Sequence, residues 1–199
     1  MVRALFKQKP NRRNTLHRKT LENLNHKVTE YFSVRKSDRR TKRELQEEKR
    51  LLLEYALKKG IEEGLEVRYI NGKGRGVFAS KNFLRGEFVV EYSGELIDVN
   101  EASRREKVYE EDESTGCYMY YFKHNEQQYC VDATAESGKL GRLINHSRNG
   151  NLVTRTVLVD GKPRLALLAR ADIREGEELL YDYGDRSKEA LEHHPWLAL

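Results

Sequence analysis

The 199 residues suffice for one domain of about 150 residues with an extra arm, and a composition of 35% charged against 38% hydrophobic residues is polar yet able to build a core. The longest apolar runs, Leu51–Leu53 and Leu165–Ala169, fall far short of the roughly 20 residues of a membrane span, and the basic stretch Met1–Pro10 lacks the apolar segment of a secretory signal. Two cysteines, Cys117 and Cys130, are too few for a disulfide framework or a four-thiolate zinc cluster and suggest a reducing, intracellular compartment.

The net charge of +5 conceals an asymmetry. Residues 1–43 carry 14 Lys and Arg against Glu22, Glu30 and Asp38, a balance of +11, whereas the rest carries 23 basic and 29 acidic side chains, a balance of −6. A basic arm attracts phosphate backbones and an acidic globule attracts basic peptides, and chromatin supplies both; a merely solvated tail accounts for the arm equally well. Residues 1–37 hold no glycine and no sustained hydrophobic period, which predicts a largely disordered arm. Residues 38–60 turn helical. Leu45, Leu52 and Ala56 share a face with Leu53 and Leu57 beside them, Ser37 or Asp38 can cap the start, and Gly60 stops the helix.

From Leu65 the period shortens. Strand-like runs follow at Leu65–Ile70, Gly76–Ala79, Glu87–Tyr92, Tyr118–Phe122, Gln128–Val131, Leu152–Val159, Arg164–Ala169 and Glu178–Tyr181. Turn signals separate them at Asn71-Gly72, Arg85-Gly86, Ser93-Gly94, His124-Asn125 and Asp160-Gly161, the last predicting a type I′ hairpin. A helix interrupts at Val99–Glu111 and a short one closes the chain near Lys188–His193. No βαβ alternation occurs. The expected class is mainly β with few helices (α+β), built of short and mostly antiparallel strands, which excludes a doubly wound nucleotide fold.

Three constellations carry possible chemistry. In Gly72-Lys73-Gly74-Arg75-Gly76 alternate glycines allow close backbone approach and Lys73 and Arg75 add positive charge. The third glycine comes too early for a GxGxxG fingerprint, no P-loop or kinase signature accompanies it, and a tight hairpin is the plainer reading. In Gly141-Arg142-Leu143-Ile144-Asn145-His146-Ser147 the amide and imidazole offer donors and acceptors together, although the pair also reads as turn chemistry. In Glu177-Glu178-Leu179-Leu180-Tyr181-Asp182-Tyr183 two tyrosines at a spacing of two share one side of a strand end. The chain has 11 tyrosines against six phenylalanines, with Tyr92 apart and Tyr118, Tyr120 and Tyr121 together. Each alone is ordinary packing, but several converging would line a π-rich channel suited to an alkylammonium group.

Gly72-Lys-Gly-Arg-Gly-Val77, Val90-Glu-Tyr-Ser-Gly-Glu95, Arg142-Leu-Ile-Asn-His-Ser147 and Glu177-Glu-Leu-Leu-Tyr-Asp-Tyr183, in this order, resemble the SET domain of protein lysine methyltransferases across residues 61–199. Ser114–Phe122, Tyr129–Ala133 and the ending Tyr181-Asp-Tyr-Gly-Asp-Arg-Ser-Lys188 with His194-Pro-Trp196 resemble the branch that monomethylates lysine 20 of histone H4. That branch lacks cysteine-rich zinc segments, and a charged helix precedes its domain.

The resemblance implies small curved antiparallel sheets with a C-terminal pseudoknot, and S-adenosylmethionine as methyl donor, leaving S-adenosylhomocysteine, with no metal. It assigns donor contacts to Lys73, Gly74, Arg75, Tyr118, Arg142, Asn145 and His146, with Trp196 covering the adenine. It places Tyr92, Tyr181 and Tyr183 in the lysine channel, with Tyr183 the foremost catalytic candidate, and Cys117, Asp185 and His194 in the peptide cleft. The implied partners are the histone H4 tail and the nucleosome, with DNA met by the basic arm, and the implied setting is a monomeric nuclear chromatin enzyme away from membranes. In the arm, Val28, Tyr31 and Phe32 resemble a box that binds the sliding clamp PCNA, departing from it in Asn25 where glutamine is preferred. The competing class is a non-catalytic SET-like module that binds histones or DNA.

Overall fold

The structure is a computed structural model, and it describes residues 40–111, 116 and 118–184. The arm through residue 39, Cys117 and residues 185–199, with the expected closing helix, lie outside the described residues.

Helix α1 spans Lys42–Lys59. It starts at Thr41 instead of Ser37 or Asp38. The Thr41 hydroxyl accepts the Glu44 N–H, and the Glu44 carboxylate accepts the Thr41 N–H, a reciprocal box that satisfies two otherwise orphan donors. Gly60 ends it at φ 59°, a left-handed position that suits glycine. The expected apolar face is displaced. Leu57 is buried and Leu53 half-buried, both packing on Val157, Val159, Ala166 and Leu168; Ala56 is buried as well, while Leu45 and Leu52 stay 42% and 63% exposed.

Ten short strands follow among the described residues. β1 (Leu65–Ile70) pairs antiparallel with β2 (Gly74–Ala79), Leu65 opposite Ala79 and Ile70 opposite Gly74. Gly74, expected in the turn, therefore opens β2. β3 (Phe88–Tyr92), β9 (Lys162–Ala169) and β8 (Leu152–Val159) form one antiparallel sheet in the order β3-β9-β8. Asp160 and Gly161 join β8 to β9 with φ of 49° and 78°, as a type I′ turn requires. β4 (Glu95–Asp98), β6 (Gln127–Asp132) and β5 (Met119–His124) form another, in the order β4-β6-β5, with helix α2 (Val99–Glu110) inserted after β4. β7 (Asn145–His146) and β10 (Leu180–Tyr181) make a two-residue parallel ladder. Neither β4 nor β7 is predicted above.

One core joins these pieces. Val77, Phe83, Val90, Ile144, Leu165, Leu167, Ile173 and Leu179 are all at most 1% exposed and come from six different segments. Each such side chain contributes about 1.5–3 kcal/mol by leaving water. The segment 141–150 threads through this core, because Gly141 lies directly on the Glu91 carbonyl and Gly150 on that of Leu180, where a side chain on either would collide with backbone. Segment 141–150 and β10 thus lock together in a knot-like crossing that brings residues far apart in sequence to one place.

Candidate active site

The β7–β10 ladder sets the geometry. Pairing Leu180 with Asn145 and Tyr181 with His146 aligns the two motifs, and the Ser147 N–H donates to the Tyr181 carbonyl at 3.0 Å. Two clusters meet around the ladder, one of polar groups from β2 and the turn Gly141–Leu143 and one of tyrosines.

In the polar cluster, the Asn145 amide nitrogen donates to the Arg75 carbonyl at 3.3 Å and to Glu178 Oε1 at 3.0 Å. Glu178 Oε2 stands 3.7 Å from Lys73 Nζ. Arg142 is the most deeply buried cation, with 2% of its side chain exposed. Its Nε and Nη2 donate to the Ala133 and Thr134 carbonyls at 2.6 and 3.0 Å, and its guanidinium carbon lies 3.9 Å from the centre of the Tyr118 ring. Nη1 is within 2.9 Å of Glu136 Oε1 as an ion pair, though without hydrogen-bond alignment. The same oxygen accepts from Arg75 Nη2 at 2.7 Å. Arg75 and then Arg142 hold the Glu136 carboxyl below its ordinary range, and Glu136 in turn raises the Arg75 guanidinium.

In the other cluster, the rings of Tyr92, Tyr120 and Tyr181 form a triangle with centroid separations of 5.6, 6.1 and 6.2 Å. Tyr183 adds a fourth ring, 4.8 Å from Tyr181 and 5.1 Å from His146. The hydroxyls are oriented: that of Tyr92 donates to the Tyr118 carbonyl at 2.7 Å and that of Tyr183 to the Ile144 carbonyl at 2.7 Å. His146 stitches the halves together, since its Nδ1 accepts the Tyr183 N–H at 3.1 Å.

Lys73, Arg75, Tyr118, Arg142, Asn145 and His146 therefore share one contact network with Tyr92, Tyr181 and Tyr183, and Gly74 opens β2 within it. Cys117, Asp185, His194 and Trp196, and the arm's Val28, Tyr31 and Phe32, lie outside the described residues. Two participants escape sequence reasoning: Glu178 stands within a quoted motif with no signal of a partner, and Glu136 sits in an unremarkable loop. Tyr120, named with Tyr118 and Tyr121 among the tyrosines that could converge, joins the cluster.

The chemistry of this set suits a ligand bearing a carboxylate and an ammonium. Lys73, Arg75 and Arg142 offer positive charge to a carboxylate, Glu178 and backbone carbonyls offer acceptors to an ammonium, and the space beside the Gly74 Cα is open, with nothing within 4 Å of where a Cβ would stand.

The comparisons with known proteins agree with this geometry. The SET domain family profile matches residues 74–184. The chain is 56% identical over 173 residues to N-lysine methyltransferase KMT5A-A of Danio rerio, covering 87% of this chain and 50% of that one. It is 60% identical over 176 residues to histone-lysine N-methyltransferase Set8 of Drosophila melanogaster, covering 88% and 26%. Against histone-lysine N-methyltransferase set-1 of Caenorhabditis elegans it is 49% identical over 175 residues, covering 87% and 72%. The chain thus spans half or less of the first two relatives. Among solved structures, that of CpSET8 from Cryptosporidium superposes with a TM-score of 0.66 at 41% identity, over 71% of this chain and 67% of that one. With the SET-domain profile matched across more than half of its residues, and a relative 49% identical over 72% of that relative's length, the chain belongs to the SET-domain family.

Proposed function

We propose that this chain is an S-adenosylmethionine-dependent protein-lysine N-methyltransferase that adds one methyl group to lysine 20 of histone H4 on nucleosomes. The observation that carries the reading is the β7–β10 ladder, which pairs Asn145 with Leu180 and His146 with Tyr181 and so joins the polar cluster around Asn145 to the tyrosine cluster around Tyr181 and Tyr183. The names of the relatives, histone-lysine and N-lysine methyltransferases, support the substrate class.

Lys73, Gly74, Arg75, Tyr118, Arg142, Asn145 and His146 would hold the donor, with Trp196 over its adenine. When bound, S-adenosylmethionine supplies a methyl group on a cationic sulfonium. The protein's task is to present a neutral lysine amine in line. A free lysine of pKa about 10.4 pays about 4 kcal/mol for neutrality near pH 7.4. Tyr92 and Tyr181, 5% and 3% exposed, wall the channel and keep water out, which disfavours the charged amine. The hydroxyl protons of Tyr183 and Tyr92 are committed to the Ile144 and Tyr118 carbonyls. Their oxygens therefore face a substrate amine as acceptors, orienting its lone pair instead of protonating it.

In this reading the hydroxyls of Tyr181 and Tyr92 account for stopping at one methyl. A second methyl must displace a water bonded to the amine and to Tyr181 or Tyr92, which costs up to a few kcal/mol. Cys117, Asp185 and His194 would line the cleft for the basic histone tail. The reading includes residues 1–37 as a chromatin-directed arm, with Val28, Tyr31 and Phe32 as its sliding-clamp box, residues 38–60 as the charged helix and residues 61–199 as the catalytic domain, in a monomeric nuclear protein. Thermal unfolding with added ligand tests the donor: S-adenosylmethionine raises the midpoint and ATP leaves it unchanged. A midpoint raised by ATP alone contradicts it.

A further inference from the structure

Asp132 closes β6 with only 4% of its side chain exposed, and it belongs to none of the groups assigned above. Its Oδ2 accepts from Arg105 Nη1 and from the Tyr109 hydroxyl, each at 2.9 Å. Its Oδ1 accepts the Thr134 N–H at 3.0 Å. Arg105 and Tyr109 both come from α2, a helix that buries only Ala102, against the small cluster of Ile97 and Cys130. Its attachment to the domain is therefore largely polar, and much of it converges on this carboxylate.

The two residues after Asp132 serve the site directly. The Ala133 and Thr134 carbonyls grip Arg142. The Ala133 N–H donates at 3.0 Å to the Tyr118 carbonyl, the group that also accepts the Tyr92 hydroxyl. Arg142 in turn stacks on the Tyr118 ring. A buried carboxylate with three donors holds one geometry, and a carbonyl displaced by a few tenths of an ångström no longer meets a planar guanidinium well.

We propose that Asp132 is a positioning residue for the donor side of the site: the turn it closes presents the carbonyls of Ala133 and Thr134 to Arg142 and so fixes the stack on Tyr118. This rests on the reading of Arg142 and Tyr118 as donor-binding residues, and it makes α2, which contributes none of the residues assigned above, part of that pocket's support.

Asp132→Asn is nearly isosteric, keeps one acceptor oxygen and loses both the charge and the second acceptor. Calorimetric titration with S-adenosylmethionine, peptide KM at saturating donor and the ligand-free unfolding midpoint are measured on the full chain. The expected result is a donor Kd raised at least about fivefold with peptide KM within about twofold. A purely structural role would move the midpoint and both constants together. Combining the change with Arg142→Lys sharpens the distinction: once Arg142 is replaced, Asp132→Asn adds less than about twofold, because the two act through one contact. Fully additive effects, or a donor Kd equal to the parent's, overturn the inference alone. A parent chain that binds no S-adenosylmethionine overturns the underlying functional reading and this inference with it. If Asp132→Asn does not fold, Tyr109→Phe removes a single bond at the same oxygen; a donor Kd raised about twofold to threefold with peptide KM unmoved supports the assignment, and an unchanged donor Kd overturns it.

Discussion

The Tyr183 hydroxyl donates to the Ile144 carbonyl at 2.7 Å, and this bond spans 39 residues of sequence to join the chain beyond β10 to the residue before β7. The bond commits the hydroxyl proton, and in the proposed mechanism the Tyr183 oxygen then serves as an acceptor for the substrate amine. Tyr183→Phe keeps the ring against His146 and Tyr181 and removes the hydroxyl. Methyl transfer should fall about tenfold or more while donor affinity stays within about threefold. Stopped-flow or steady-state rates with a histone peptide check this. Equal rates for variant and parent would remove Tyr183 from the mechanism.

Tyr181 is the predicted counter of methyl groups. Replacing it with phenylalanine leaves a wall of the same shape, 6.2 Å from Tyr92, and removes the oxygen that anchors a trapped water. Tyr181→Phe should retain the first transfer and gain dimethylation of the same lysine, read as peptide mass after long incubation with excess donor. A variant whose product stays purely monomethyl would assign the limit to another group.

The packing face of α1 gives a contrast of two leucines. Leu57 is fully buried against Val157 and Leu168, and Leu52 is 63% exposed. Leu57→Ala should cost about 2–5 kcal/mol, and Leu52→Ala within about 0.5 kcal/mol of nothing. Denaturant unfolding separates them, and equal losses would mean that Leu52 has a packing partner.

Acid should weaken the protein through carboxylates held in charged form. Burial alone would raise Asp132, yet bonds from Thr134, Arg105 and Tyr109 hold it below the usual aspartate range. Arg104 and Arg105 bring Glu101 down to about 2. A depressed carboxyl contributes its full stability above its unfolded pKa, about 4, and loses it as pH falls through the folded value. The unfolding midpoint should therefore fall from about pH 4 downward, with the Glu101 contribution lost as pH approaches about 2. In Asp132→Asn the fall should be shallower; an identical slope would show that Asp132 does not titrate with unfolding.

The start of α1 continues the basic stretch, with Lys42 and Arg43 exposed. Neutralising Arg39, Arg40, Lys42 and Arg43 should weaken nucleosome binding and flatten its salt slope by up to about four charge equivalents, with activity on a free peptide nearly unchanged. An unaltered slope would leave these as solvated charges.

Local signals in the sequence were legible where the structure is local. Leu152–Val159 is a strand as the residues predict, because Asp160-Gly161 fixes its hairpin and register. Val99–Glu110 is a helix with Asp98 as its cap. What escaped is non-local. Asn145-His146 alone reads as a turn, and only its parallel pairing with Leu180-Tyr181, some 35 residues on, makes it a strand. The same holds for Glu136, whose role depends on folding Arg75 and Arg142 to one carboxylate. On α1 the helical period was clear but its buried face was not, since Leu52 and Leu53 differ only in what the β8–β9 sheet meets. The convergence of tyrosines was hinted at by their number and spacing, whereas the roles proposed for the donor-side residues came from family resemblance alone.

The most direct test of the central claim is intact mass and fragment analysis of histone H4 from nucleosomes incubated with this chain and S-adenosylmethionine. The account predicts one added methyl group on lysine 20, dependent on donor and lost with Tyr183→Phe. No added methyl, or methylation that leaves lysine 20 untouched, would contradict it.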